Sequence, residues 1–135
     1  MKTFSISLII GFTAFFSIAN AQETLVLNDP DAAVKQARLL YQQEKYSLAF
    51  PYIKHVFQTG IAETNMPQQQ REEVQFLYIS CGLQMGLTEM EKLAEDYLKT
   101  SNHPSYKQLI AYYLGEYYYQ KKDYVNATAS FAQVG

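Results

Sequence analysis

The sequence feature that most restricts the fold is a small residue that recurs at a fixed interval. Three pairs of glycine or alanine lie twelve positions apart: Ala37 and Ala49, Gly82 and Ala94, and Gly115 and Ala127. Two helices approach to within roughly 8 Å of each other only where small side chains meet. The interval therefore predicts three pairs of neighbouring helices, each pair crossing at its two small residues.

Large apolar residues surround these small ones at helical spacing, and no segment alternates between apolar and polar residues over the length of a strand. In the third pair, Leu114 and Tyr118 lie around Gly115, and Phe131 follows Ala127 by four positions. A single pair of helices cannot bury its own apolar face, so neighbouring pairs must stack. The pattern predicts an all-α protein.

The third pair resembles a known repeat. Its residues Ala111-x2-Leu114-Gly115-x2-Tyr118, followed by Ala127-x3-Phe131, are similar to the pattern of the tetratricopeptide repeat family. Fainter copies are Tyr78-x2-Cys81-Gly82-x2-Met85 with Ala94-x3-Leu98, and Ala33-x2-Gln36-Ala37-x2-Leu40 with Ala49-x3-Ile53. The resemblance implies an α-solenoid of about three antiparallel helix pairs, wound as a right-handed superhelix.

The spacing of the copies divides the chain. Gly82 and Gly115 are 33 positions apart, close to the family repeat, whereas Ala37 and Gly82 are 45 apart. The surplus residues fit a turn-rich insert at 59–68, between a first repeat at about 30–58 and a second at about 69–101. The third repeat is expected at about 105–135. We expect helices at about 31–43, 46–58, 69–86, 89–100, 106–121 and 124–134.

Residues near the expected helix starts suggest caps. Asp29 precedes Pro30 in a favourable N-terminal arrangement, and Asp123 precedes the last helix. Capping boxes are predicted at two further sites, Thr88-x-x-Glu91 and Ser105-x-x-Gln108.

Residues 1–21 have the pattern of an export signal. Lys2 precedes an apolar run, and Ala19-Asn20-Ala21 matches a signal-peptidase site. A membrane anchor is the alternative, but the run is shorter than a spanning helix needs. We therefore expect cleavage after Ala21, a short extension at 22–29, and no stable membrane span in the mature chain. The protein is predicted to be exported to the periplasm or cell envelope, with a membrane-associated envelope complex as a possible setting.

Composition excludes several classes of function. The chain carries 11 Lys and Arg against 13 Asp and Glu, without a basic run that would attract nucleic acid. The single cysteine, Cys81, cannot form an intramolecular disulfide, and no Cys/His cluster suggests a metal or another cofactor.

The last residues, from Phe131 to Gly135, are largely apolar and do not form a polar finishing helix. Helical arrays need a solvated terminal cap. We therefore expect this chain to be the N-terminal part of a longer protein, the alternative being an end that pairs with another subunit.

The resemblance to the tetratricopeptide repeat family implies that the first helices of successive repeats line a concave groove. That implies a partner-binding surface formed by Val34, Arg38, Tyr41, Gln42, Ile79, Leu83, Tyr112, Glu116 and Tyr119. Tyrosine and arginine suit such a surface because they present a large contact area with a polar tip. The alternative is that these residues simply pack. The tyrosines between 112 and 119 surround their helix, so at least Tyr112 or Tyr119 should meet solvent or a partner.

Catalysis has little support. His55 and His103 are expected to be capping or surface residues and Cys81 a packing residue. Four glutamates are expected to be solvated helix charges: Glu72, Glu73, Glu89 and Glu91. The leading hypothesis is an exported scaffold that is not an enzyme and binds a protein or peptide in its groove. The alternative is a solute-binding helical repeat protein that captures peptides or glycans for uptake, and a third possibility is the regulatory front of a larger enzyme.

Overall fold

The computed structural model describes residues 26–60 and 65–135, and this part of the chain contains helices and no strand. The helices are α1 (Pro30–Gln42), α2 (Tyr46–His55), a π-helix (Val56–Gly60), α3 (Gln68–Gln84), α4 (Met90–Thr100), α5 (Pro104–Gln120) and α6 (Tyr124–Phe131). The all-α prediction is confirmed for these residues. The predicted signal at 1–21 and the first half of the predicted extension, residues 22–25, lie outside the described residues.

The six expected helices are present, with their ends shifted by a few residues. The largest differences are at α2 and α6, which end three residues before the predicted positions. α2 contains Pro51, whose ring removes one backbone donor, and it passes directly into the π-helix that ends at Gly60. The start of the predicted insert is therefore still helical, and its residues 61–64 lie outside the described part of the chain.

Two of the predicted caps are confirmed. The Asp29 carboxylate accepts hydrogen bonds from the backbone N–H groups of Asp31 and Ala32, at 3.0 and 3.4 Å. Asp123 likewise accepts from the backbone N–H of Asn126 at 3.2 Å. Each bond satisfies a donor that the first turn of a helix leaves free.

The two predicted capping boxes are wrong. α4 begins at Met90 without a side-chain cap, and Thr88 contributes only its backbone carbonyl, to the N–H of Glu91. α5 begins at Pro104, one residue before Ser105, because His103 Nδ1 accepts from the backbone N–H of Tyr106 at 3.4 Å. His103 therefore caps α5, which is one of the two roles expected for it from the sequence.

The same turn ends the first helix of each predicted repeat. Glu44, Gly86 and Lys122 have φ angles of 58°, 73° and 62°, in the left-handed region. In each turn this residue donates its N–H to the carbonyl three positions before it, and the next residue donates to the carbonyl five positions before itself. This is the Schellman arrangement, which satisfies the free carbonyls of a helix end and reverses the chain.

Packing of the helices places α3 at the centre of the described chain. Each α-helix contacts the next along the chain, and the first helices of the predicted repeats also contact one another, α1 with α3 and α3 with α5. The consequence appears in α3, whose consecutive residues from Phe76 to Leu83 are all buried.

Among the described residues, no helix combines the length and the apolar character that crossing a membrane requires.

The recurring small residues are all buried, but the glycines face large side chains rather than the paired alanines. A Cβ atom added to Gly82 would lie 2.7 Å from Met90 Sδ, and one added to Gly115 would lie 2.5 Å from Phe131 Cε1. In each case the nearest neighbour belongs to the following helix and lies four positions from the alanine. The two glycines therefore make room for a neighbouring large side chain, as close packing requires.

Substitution of Gly86, whose backbone lies in the left-handed region, tests the turns. A Cβ atom at Gly86 has no neighbour within 4 Å, so Gly86→Ala introduces backbone strain without a steric clash. We expect Gly86→Ala to lower the free energy of unfolding by about 1 kcal/mol, measured by urea denaturation.

Gly135→Ala is the matched control, because Gly135 also has open space around it and is not in the left-handed region. It should leave the unfolding free energy unchanged. Equal effects of the two substitutions would contradict the turn geometry.

Candidate functional site

Three of the nine predicted surface residues belong to the core. Val34, Ile79 and Leu83 are only 1%, 3% and 3% exposed. Their helices, α1 and α3, each pack against more than one neighbour, so the faces that carry these residues are covered. The prediction that they line an open groove is therefore wrong for the described chain. The other six are partly or fully exposed: Arg38, Tyr41, Gln42, Tyr112, Glu116 and Tyr119.

Arg38 joins α1 to α3 through Glu73. Its Nε lies 2.5 Å from Glu73 Oε1, and its Nη2 lies 2.8 Å from Glu73 Oε2. The hydrogen bond to Glu73 is the largest influence that raises the pKa of Arg38. Glu73 is thus part of an inter-helix pair and not the solvated charge that the sequence suggested, and Arg38 already has a partner within the chain.

Tyr41 joins α1 to α5. Its hydroxyl lies 3.0 Å from that of Tyr113, and its ring meets those of Tyr46 and Phe76 edge to face, with centroids 5.6 Å apart in both cases. Burial, and after it the hydrogen bond with Tyr113, raises the pKa of Tyr41. Tyr41 is therefore a neutral packing residue with a polar tip, only partly available to a partner.

Phe76 of α3 contacts an aromatic ring from each of the other two first helices. Tyr106 of α5 stacks on the Phe76 ring with centroids 4.2 Å apart, and Tyr41 of α1 meets the same ring edge to face. His103 in turn stacks on Tyr106 at 3.7 Å. These rings connect α1, α3 and α5, as stacked and edge-to-face aromatic pairs commonly do in cores.

Glu116 of α5 lies beside an exposed group of aromatic residues. Its carboxylate accepts hydrogen bonds from Tyr112 Oη at 3.0 Å and from Gln84 Nε2 at 3.4 Å. The bond to Glu116 is also the main cause of the raised pKa of Tyr112. The carboxylate is therefore held in place by neutral donors from α5 and α3.

Next to Glu116 the surface forms a shallow recess of about 260 Å³, which we call the tyrosine recess. It is lined by Tyr112, Glu116, Tyr119, Gln120 and Phe131. Tyr112 and Tyr119 are 43% and 61% exposed, and the Tyr112 and Phe131 ring centroids are 5.9 Å apart. The prediction that Tyr112 or Tyr119 meets solvent is confirmed for both.

Sequence reasoning missed some residues of this surface. Gln120 was detectable, since it follows Tyr112 and Glu116 at successive intervals of four and shares their helix face. Phe131 matched a packing position of the repeat, and Gln84 lies on another helix. Neither residue gave a sequence signal that could have assigned it to the recess.

Two other tyrosines of α5 point into the structure. Tyr117 and Tyr118 are 3% and 4% exposed, and the Tyr118 hydroxyl lies 3.1 Å from Glu91 Oε1 and 3.0 Å from Glu95 Oε1. Burial is the largest cause of the raised pKa of Tyr118. This cluster fastens α4 to α5, so Glu91 has a structural role besides being a surface charge.

The residues considered for catalysis have other roles or surroundings. Cys81 is fully buried, and that burial raises the pKa of its thiol to about 12, so the thiolate is scarce at neutral pH. His103 caps α5, and His55 lies exposed at the end of α2. Within residues 26–60 and 65–135, no three His, Cys, Asp or Glu side chains are grouped so as to hold a metal ion.

Removing the Tyr41 hydroxyl tests the link between α1 and α5. Tyr41→Phe keeps the ring contacts but leaves Tyr113 without this hydrogen bond. We therefore expect the free energy of unfolding, measured by thermal or urea denaturation, to fall by about 1 kcal/mol. Tyr124→Phe serves as the control, because Tyr124 is 57% exposed. A Tyr41→Phe variant as stable as Tyr124→Phe would show that the hydroxyl pair does not hold the helices together.

Comparison with other proteins gives no relative for this chain: no protein-family model, no curated sequence and no solved structure matches it. Its function is therefore inferred from its own residues and their geometry.

Proposed function

We propose that this chain is a tetratricopeptide-type module, an α-solenoid of three antiparallel helix pairs. Two structural features support the proposal. The first helix of each pair ends in the same left-handed turn, at Glu44, Gly86 and Lys122. Each first helix also contacts both its own second helix and the first helix of the neighbouring pair, which is the nearest-neighbour packing of repeat proteins.

The module acts as a scaffold that binds a protein or an extended peptide, and it is not an enzyme. The observation that carries this proposal is the exposure of Tyr112 and Tyr119 beside the fixed carboxylate of Glu116. Large rings that remain in water on a helix face, next to a polar group of defined orientation, are typical of interaction sites. Gln42 and Arg38 are also exposed, but they line a separate recess on α1.

The site of action that we propose is the cell envelope or periplasm. It rests on the signal-like pattern of residues 1–21, with Ala19 and Ala21 before the expected cleavage point. A mildly acidic chain with 12 tyrosines and no tryptophan is compatible with a protein-binding role there.

Selection of ligands from a peptide library displaying envelope-protein sequences would test the proposal. We expect the full chain to select peptides whose affinity, measured by calorimetry, falls about tenfold in Tyr112→Ala and in Tyr119→Ala. Leu48→Ala is the control: Leu48 is also a large exposed side chain, at 56%, but it lies on α2 outside this surface. Leu48→Ala should leave the affinity unchanged.

The proposal fails if the tyrosine variants bind the selected peptides as tightly as the unaltered chain does. It also fails if no peptide is selected while oligosaccharides bind with the same dependence on Tyr112 and Tyr119. The second result would favour glycan capture, because sugar rings can pack on exposed tyrosine rings.

A further inference from the structure

The carboxylate of Glu116 is not neutralised by a cation within the described chain. Both of its hydrogen bonds come from neutral groups, the Tyr112 hydroxyl and the Gln84 amide. The ion pairs among the described residues are Arg38–Glu73, Lys92–Asp96 and Lys121–Glu91. Lys121, the lysine nearest to Glu116 in the sequence, is thus paired with Glu91 of α4. Glu116 keeps a negative charge that an incoming cation can neutralise.

Aromatic rings surround this charge. Tyr112, Tyr119 and Phe131 line the tyrosine recess, and all three are at least 36% exposed. The face of an aromatic ring attracts a cation that lies within about 6 Å of its centroid. The recess therefore combines two features that favour positive charge, a fixed carboxylate and exposed aromatic rings.

The size of the recess indicates what kind of group it holds. Its volume of about 260 Å³ is below the range of about 300–1,000 Å³ that is usual for small-molecule sites. One side chain of a bound segment suits this volume better than a whole ligand does. Gln120, which also lines the recess, adds a neutral polar group that can hydrogen-bond the backbone or head group of such a segment.

We propose that the tyrosine recess accepts a lysine or arginine side chain from a protein or peptide partner. The inference rests on the proposed peptide-binding function and specifies the chemistry of the partner. An acidic side chain would be repelled by Glu116, and an apolar one would remove water from the carboxylate without replacing its interactions. A cation satisfies the carboxylate and lies against the rings at the same time.

An NMR titration with small probes tests the recess directly. The full chain is titrated with acetyl-Gly-Lys-Gly-amide, with the same tripeptide containing Met, and with the one containing Glu, while the ring signals of Tyr112 and Tyr119 are followed. We expect the lysine probe to shift these signals with an affinity about tenfold higher than the methionine probe. The glutamate probe should cause no saturable shift.

Glu116→Gln is the decisive variant, since it removes the charge while the amide oxygen can still accept from the Tyr112 hydroxyl. The new amide N–H can donate to the side-chain oxygen of Gln84 once the Gln84 amide turns over. It should weaken the lysine probe about tenfold. Glu89→Gln is the matched control, because it removes the same charge at an exposed residue in the turn before α4. That variant should retain the affinity of the unaltered chain, and unchanged melting temperatures would show that both variants are folded.

Equal shifts with the lysine and methionine probes, or unchanged lysine affinity in Glu116→Gln, would overturn the inference. The broader function is judged separately. Library peptides that depend on Tyr112 and Tyr119 but tolerate replacement of every Lys and Arg would support peptide binding and exclude a cation in the recess. Lysine-probe binding without any selected peptide would support the cation site and count against the scaffold.

Discussion

The architecture depends on a constraint on the backbone: the chain must enter the left-handed region at the end of each first helix. Glu44, Gly86 and Lys122 occupy this position in three successive turns, with the same pair of backbone hydrogen bonds. Only one of the three is glycine, so two side chains are held in a conformation that L-residues rarely adopt. The backbone hydrogen bonds and the contact with the following helix offset that cost.

Once the chain turns in this way, packing around α3 determines what is exposed. Phe76 contacts Tyr41 of α1 and Tyr106 of α5, while Gly82 leaves room for Met90 of α4. Because α3 is covered by these neighbours, the proposed surface for partners lies on α5 and α6. There Tyr112, Tyr119 and Phe131 remain open around Glu116. The candidate site is thus a result of which helix faces the stack leaves uncovered.

Local sequence signals predicted the helices well. The twelve-residue interval identified small residues that are all buried, and Asp29 and Asp123 cap the helices that they precede. Such features depend on a few neighbouring residues. The turns at Glu44 and Lys122 could not be predicted in the same way, because these residue types favour right-handed helix and give no sign of a left-handed position.

The site was harder to predict, because it depends on contacts between distant residues. The tetratricopeptide resemblance implied a surface that includes Tyr112, Glu116 and Tyr119, and these three residues line one recess. Neither the resemblance nor helical spacing could show that neighbouring helices bury Val34, Ile79 and Leu83. The pair between Arg38 and Glu73 joins residues 35 positions apart, and nothing in the sequence near either residue indicates it. Periodicity defines the faces of a helix, and only tertiary packing determines which face is open.

The most direct test of this account is a measurement of nuclear Overhauser effects between aromatic rings in solution. If the three turns bring α1, α3 and α5 into one stack, cross-peaks should join Phe76 to both Tyr41 and Tyr106, whose ring centroids lie 5.6 and 4.2 Å away. Absence of both cross-peaks, in spectra where the sequential contacts of every helix persist, would show that the helices form without packing together and would contradict the account.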